Sequence, residues 1–174
     1  MSKQGLRDLQ QRLAERMQAV RETTQVASWL AVECAGVGLL FSLTQASEIF
    51  TPVPLKPVPY AKPWLAGVAN LRGGLVTVVD LGLFLGLRDA QAPRADAGAL
   101  RLIALNAELN INCALLVDRL AGLRSAEQLQ AEPPEAGPRP RFAGPRWRDA
   151  DGRAWQQLDL EALSRHEQFL HIVA

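Results

Sequence analysis

The sequence predicts a mainly β chain with an added N-terminal helix and a short C-terminal one. Three observations carry that expectation. After residue 28 the apolar runs are short and bounded by turn residues, as in WLAGVANLRGGLVTVVDLGLFL over Trp64–Leu85, which is the mark of buried strands. The runs Leu65–Leu71 and Leu75–Leu81 are rich in β-branched Val68, Val76, Val78 and Val79, whose stiff side chains suit a pleated surface. Sustained helical periodicity appears over residues 3–25, where Leu6, Leu9, Leu13, Met17 and Val20 recur between Lys, Arg, Gln and Glu at the spacing of one helix face.

In order along the chain, that first helix is expected to lay its apolar stripe on the chain's own β body, as most amphipathic helices do, the alternative being docking to a partner helix. Trp29–Ala35 and Leu39–Leu43 flank Gly36-Val37-Gly38 and read as a hairpin turned at the glycines. Gln45–Thr51 holds the pair Glu48-Ile49. Thr51–Pro63 contains five of the eleven prolines, so it is a stiff crossover and neither a helix nor a central strand. It delivers Trp64, a buried anchor at the barrel end, to the central hairpin. There Arg72-Gly73-Gly74 forms a tight turn, because glycine accepts positive φ without strain. Leu71, Leu75 and Val79 are expected in the core, and Asn70 to fix the turn through its side-chain amide. Asp80 caps a short helix within Leu81–Leu87, and Leu87–Ala99 is an exposed loop.

Leu100–Ala107 and Ile111–Asp118 then read as an antiparallel pair turned at Glu108–Asn110, with Gly122 marking a bulge or bend beyond it. Ser125–Pro145 is a proline-rich surface excursion opening with one helical turn. Arg141–Arg148 and Arg153–Leu158 make a last hairpin across Asp151-Gly152, and Asp159–His166 is a short helix capped by Asp159. Phe169–Val173 packs back on the body.

Composition narrows the function. A chain of 174 residues, 48% of them hydrophobic, fits one domain with an appendage or two small intertwined lobes. The formal net charge of +1 gives no global field to recruit nucleic acid or anionic lipid. No apolar run reaches the ~20 residues of a membrane helix, and the N-terminus is too polar for a secretory signal, so a cytoplasmic location without membrane insertion is expected. Cys34 and Cys113 lie in apolar runs and read as reduced buried thiols. His166 and His171 have no zinc-site spacing, and neither a metal nor a cofactor is expected. No serine-hydrolase, zinc-protease, phosphate-loop or kinase motif occurs, and the chain is not expected to be an enzyme. One competing class is a single-stranded nucleic-acid binder, in which Arg139, Arg141, Arg146, Arg148 and Arg153 gather around Phe142 and Trp147, the cation and aromatic mixture such modules use.

The order Glu48-Ile49, a proline-rich bend, Leu65–Gly73 and Val78-Val79-Asp80-Leu81 resembles the CheW-like domain, over roughly residues 29–170. The N-terminal helix and the ending Phe169–Ala174 are most similar to the PilI branch of that family, which serves type IV pilus (twitching) systems. The resemblance implies two small five-stranded β-barrels packed together over residues 29–174, with residues 1–28 as an added amphipathic helix. It also implies a short helix before the strand that Glu48 begins. It further implies a non-catalytic chemotaxis adaptor that couples a chemoreceptor's helical tip to the regulatory domain of a CheA-type histidine kinase. Arg72 matches the arginine important for that coupling. Glu48, Ile49, Gly67, Asn70 and Gly73 are the other candidate partner-binding residues. For Arg72 the alternative is a salt bridge within the fold; for Glu48 and Ile49 it is a solvated strand edge and a core position.

Overall fold

The computed structural model describes residues 3–94 and 96–174, with the side chains of 3, 4 and 19–27 left aside. Helix α1 (Lys3–Val26) runs directly into β1 (Ala27–Cys34), which pairs antiparallel with β2 (Val37–Ser42). The hairpin turns at Ala35 and Gly36, both at positive φ, and Gly38 lies inside β2 instead of in the turn. An added Cβ there would stand 2.6 Å from the Trp155 ring, so this glycine makes room for an indole. β3 (Ala46–Phe50) follows a simple turn over 43–45, with no helix before it.

The remaining strands are β4 (Leu65–Leu71), β5 (Gly74–Asp80), β6 (Arg101–Leu105), β7 (Cys113–Val117), β8 (Arg119–Ser125), β9 (Leu129–Ala131), β10 (Ala143–Asp149) and β11 (Ala154–Leu158). Helix α2 (Leu81–Phe84) follows β5, and two short helices, α3 (Leu160–Ser164) and α4 (Glu167–Leu170), follow β11 where one was expected. Asp80 and Asp159 cap α2 and α3 by accepting from backbone N–H groups in the first turn. Gly122 marks a register shift between β8 and β1 at φ 90°.

The strands form two sheets. One has five strands in the order β3-β6-β7-β5-β4; the other has six, β8-β1-β2-β11-β10-β9, the sixth being the three-residue β9. Each sheet curls onto itself. Phe50 and Leu71, from the two opposite edges of the five-stranded sheet, share one apolar cluster, and Ala121 and Leu129, from the two edges of the other, share a second. A third and larger cluster lies between the sheets: Leu30, Val32 and Cys34 of β1 meet Cys113, Leu115 and Val117 of β7. Alternate residues of one strand thus serve two cores, with Ala114 and Leu116 turned into the barrel, which is why these strands read as continuous apolar runs.

Both faces of β1 are covered by residues of the β body itself. Leu6, Leu9, Leu13 and Met17 are 55–65% exposed, contrary to the expectation that the stripe packs on the body; Val20 lies outside the described side chains. At the other end the C-terminal segment does return to the body: Phe169 stacks on Trp64 at 6.2 Å with Phe84 edge-on to both, and Lys62 N donates to the Ile172 carbonyl at 2.7 Å while Ala174 N donates to that of Tyr60 at 2.8 Å. Trp64 itself is half-buried, and Leu170, Ile172 and Val173 remain at the surface.

Candidate functional site

The β4–β5 hairpin has a two-residue turn. Arg72 and Gly73 both sit at positive φ, 51° and 77°, the type I′ pattern whose twist matches that of the flanking strands. Glycine meets this demand freely, whereas arginine does so against its own Cβ. The turn therefore fixes the Arg72 backbone and aims its side chain outward. Arg72 Nε lies 2.9 Å from Glu48 Oε2, the two side chains being 74% and 40% exposed. The guanidinium also stands 6.0 Å from the Phe50 ring. Glu48 and Phe50 belong to β3, one edge of the five-stranded sheet, while Arg72 follows β4, the other edge. The pair spans the seam where that sheet closes.

The other candidates fall around this pair in different ways. Ile49 is 46% exposed, so it is not core. It alternates with Glu48 and Phe50 along β3 and so faces away from Arg72. Gly67 is buried, at φ 144°, and an added Cβ would lie 2.5 Å from the Lys56 carbonyl oxygen. The absent side chain lets the proline-rich crossover exchange two 2.9 Å backbone hydrogen bonds between Lys56 and Val68. Among the described residues Asn70 takes no side-chain hydrogen bond and is exposed; the turn is held by its backbone instead. Leu75 was expected in the core and is 69% exposed. β5 meets β7 only from Thr77 onward, so the hairpin tip carrying Leu75 projects past its neighbour.

Two charged clusters escape a sequence reading. Asp80 caps α2 and also receives Arg88 and Arg94, and both arginines reach Asp118, at 3.5 and 3.2 Å. Asp118 accepts in addition from Ala35 N at 2.6 Å, so the cluster joins the ends of both sheets. Arg88 and Arg94 come from the loop expected to be merely exposed. Glu33, 8% exposed, is held by Arg119 and Arg153. Burial raises its pKa, but the two guanidiniums more than offset that and keep it below the usual carboxylate value. A lone acid inside an apolar strand is the one sequence signal that points to such a partner.

Cys34 and Cys113 are free and buried, each pushed up to about 12, by burial in both cases and next by Asp118 for Cys34. Neither is a ready nucleophile. Among the described residues no group of three or more His, Cys, Asp and Glu could hold a metal, and no helix is long and apolar enough to cross a membrane. In the basic C-terminal segment Phe142 is buried, Trp147 packs on Trp29, and Arg146, Arg148 and Arg153 meet Glu132, Glu135 or Glu33, while among the described residues Arg139 and Arg141 meet no carboxylate. The Arg72–Glu48 ion pair is exposed on both sides and mounted on a tight turn.

The CheW-like domain family matches residues 28–168. The chain is 28% identical over 167 residues to the protein PilI of Pseudomonas aeruginosa, covering 92% of this chain and 88% of that one. Its fold superposes on the crystal structure of the scaffolding protein TtCheW from Thermoanaerobacter tengcongensis with a TM-score of 0.62 at 18% identity, over 76% of this chain and 88% of the other. A match over most of the sequence, carried on two curled sheets packed around a shared core, means that this chain belongs to the CheW-like domain family.

Proposed function

We propose that the chain is a non-catalytic adaptor that couples a chemoreceptor to a CheA-type histidine kinase, and that its output is type IV pilus twitching motility. Family membership and the likeness to PilI support this reading. The observation that carries it is the Arg72–Glu48 pair, which puts an accessible guanidinium on a strained, rigid turn at the closing seam of a barrel. A barrel-end surface of that kind suits docking against a second barrel, here the regulatory domain of the kinase. A neighbouring groove would take the helical tip of the receptor. Contacts of this size are individually weak and gain from repetition in an array. The adaptor works in the cytoplasm and passes the signal as a change in kinase geometry, without cofactor or covalent step.

The test is titration of the full chain with the kinase regulatory domain from the same genome, at low and high salt, with a single-stranded oligonucleotide in parallel. Binding to the kinase domain, weakened by Arg72→Ala, and none to the oligonucleotide is the expected result. Oligonucleotide binding that falls steeply with salt, without kinase binding, overturns it.

A further inference from the structure

Helix α1 carries an apolar stripe that its own body leaves uncovered. On a helical projection of about 100° per residue, Leu6, Leu9, Leu13 and Met17 fall within an arc of about 80°. All four are more than half exposed. The charges around this stripe are sorted. Arg12 and Arg16 border one side, Gln10 and Ala14 with Arg7 just beyond them border the other, and Asp8 and Glu15 lie on the back. Among the described residues neither Arg12 nor Arg16 meets a carboxylate; in the β body Arg88, Arg94, Arg119, Arg146, Arg148 and Arg153 each do, while Arg101, Arg124, Arg139 and Arg141 do not.

We infer that α1 is a docking helix for a partner helix, in another protein, whose apolar seam is bordered by carboxylates. A narrow apolar arc edged by unpaired guanidiniums is the complement of such a seam, since flanking charges choose the partner of a helix pair. A second copy fits less well. Antiparallel pairing about Leu13 lays Arg12 and Arg16 beside the copy's own Arg12 and Arg16. Parallel pairing sets them against the flank that carries Gln10, Ala14 and Arg7, which is again without a carboxylate. An anionic lipid surface fits less well too, because the arc is narrow and carries no aromatic residue to sit at the headgroup level.

The experiment titrates the full chain into two labelled synthetic peptides with leucine at heptad positions a and d. One carries glutamate at e and g, the other lysine. The acidic peptide should bind at least about tenfold more tightly than the basic one, and less tightly as salt rises. Leu9→Gln with Leu13→Gln, which keeps good helix formers on the surface, should abolish binding with the circular dichroism unchanged. Arg12→Glu with Arg16→Glu should reverse the preference between peptides. Equal binding to both peptides, or binding to neither, overturns the inference. So does self-association in sedimentation that Leu13→Gln abolishes, which assigns the stripe to a second copy. Tighter binding to phosphatidylcholine vesicles containing phosphatidylglycerol than to the acidic peptide also overturns it, in favour of a membrane surface.

Discussion

Replacing Arg72 with asparagine separates the two roles its position allows. The ion pair to Glu48 is exposed on both sides, and such pairs contribute about 0–1 kcal/mol. The backbone at φ 51° strains an arginine, and relaxing a position of this kind returns about 1 kcal/mol. Asparagine tolerates the left-handed region, so Arg72→Asn loses the first term and recovers much of the second. Its unfolding free energy should fall within about 1 kcal/mol of the parent in urea, a shift in Tm of no more than about 2–4 °C. Arg72→Ala keeps the strain, loses the pair and should be the less stable of the two. Affinity for the kinase regulatory domain should nonetheless drop for both, by about thirtyfold if the guanidinium is an interface anchor worth about 2 kcal/mol. Calorimetric titration beside urea unfolding reads both quantities on the same preparations. If Arg72→Asn loses more than about 2 kcal/mol of stability while the folded protein binds undiminished, Arg72 is a clasp across the barrel seam and the reasoning fails.

Three further outcomes follow from the geometry. Gly67→Ala should destabilise the fold by about 3 kcal/mol, because the new Cβ meets the Lys56 carbonyl at φ 144°; a midpoint in urea equal to the parent's contradicts this. Asp80→Ala should cost about 3–5 kcal/mol, since it removes the α2 cap and leaves Arg88, 11% exposed, with only its 3.5 Å contact to Asp118; a loss below about 1 kcal/mol would show that Asp118 suffices. The thiols of Cys34 and Cys113, with pKa values of about 12 against an ordinary 9.0, should resist a thiol reagent at pH 8 until denaturant is added. Because folded thiols keep protons that the unfolded chain gives up, each subtracts stability as pH rises above about 9, with a slope approaching 1.4 kcal/mol per pH unit. The slope should flatten in Cys113→Val, and an unchanged slope assigns the alkaline loss to other groups.

Much of the β body was legible because its signals are local. Glycines at positive φ, the run of prolines, β-branched alternation and capping aspartates act within a few residues of themselves, so the hairpins at Arg72-Gly73 and Asp151-Gly152 and the caps at Asp80 and Asp159 could be placed from the chain alone. The motif around Leu65–Leu81 likewise pointed to the family and to Arg72. Local signals also misled where a neighbour decides. Gly38 has the look of a turn residue, yet it yields its space to Trp155, more than a hundred positions away.

By itself the sequence determined the element types, the tight turn and the residues worth testing. Only the tertiary structure decided who meets whom. Glu48 and Arg72 are both candidates on the chain, but their pairing depends on a sheet curling until its two edges face each other. Leu75 and Ile49 are apolar residues in strands, and their exposure follows from where β5 outruns β7 and from β3 lying at an edge. The stripe of α1 is periodic enough to promise burial, and whether it is buried depends on whether the body offers a free apolar face. Both faces of β1 were already taken. Periodicity records which face of an element is apolar, and only the packed neighbours determine whether anything covers it.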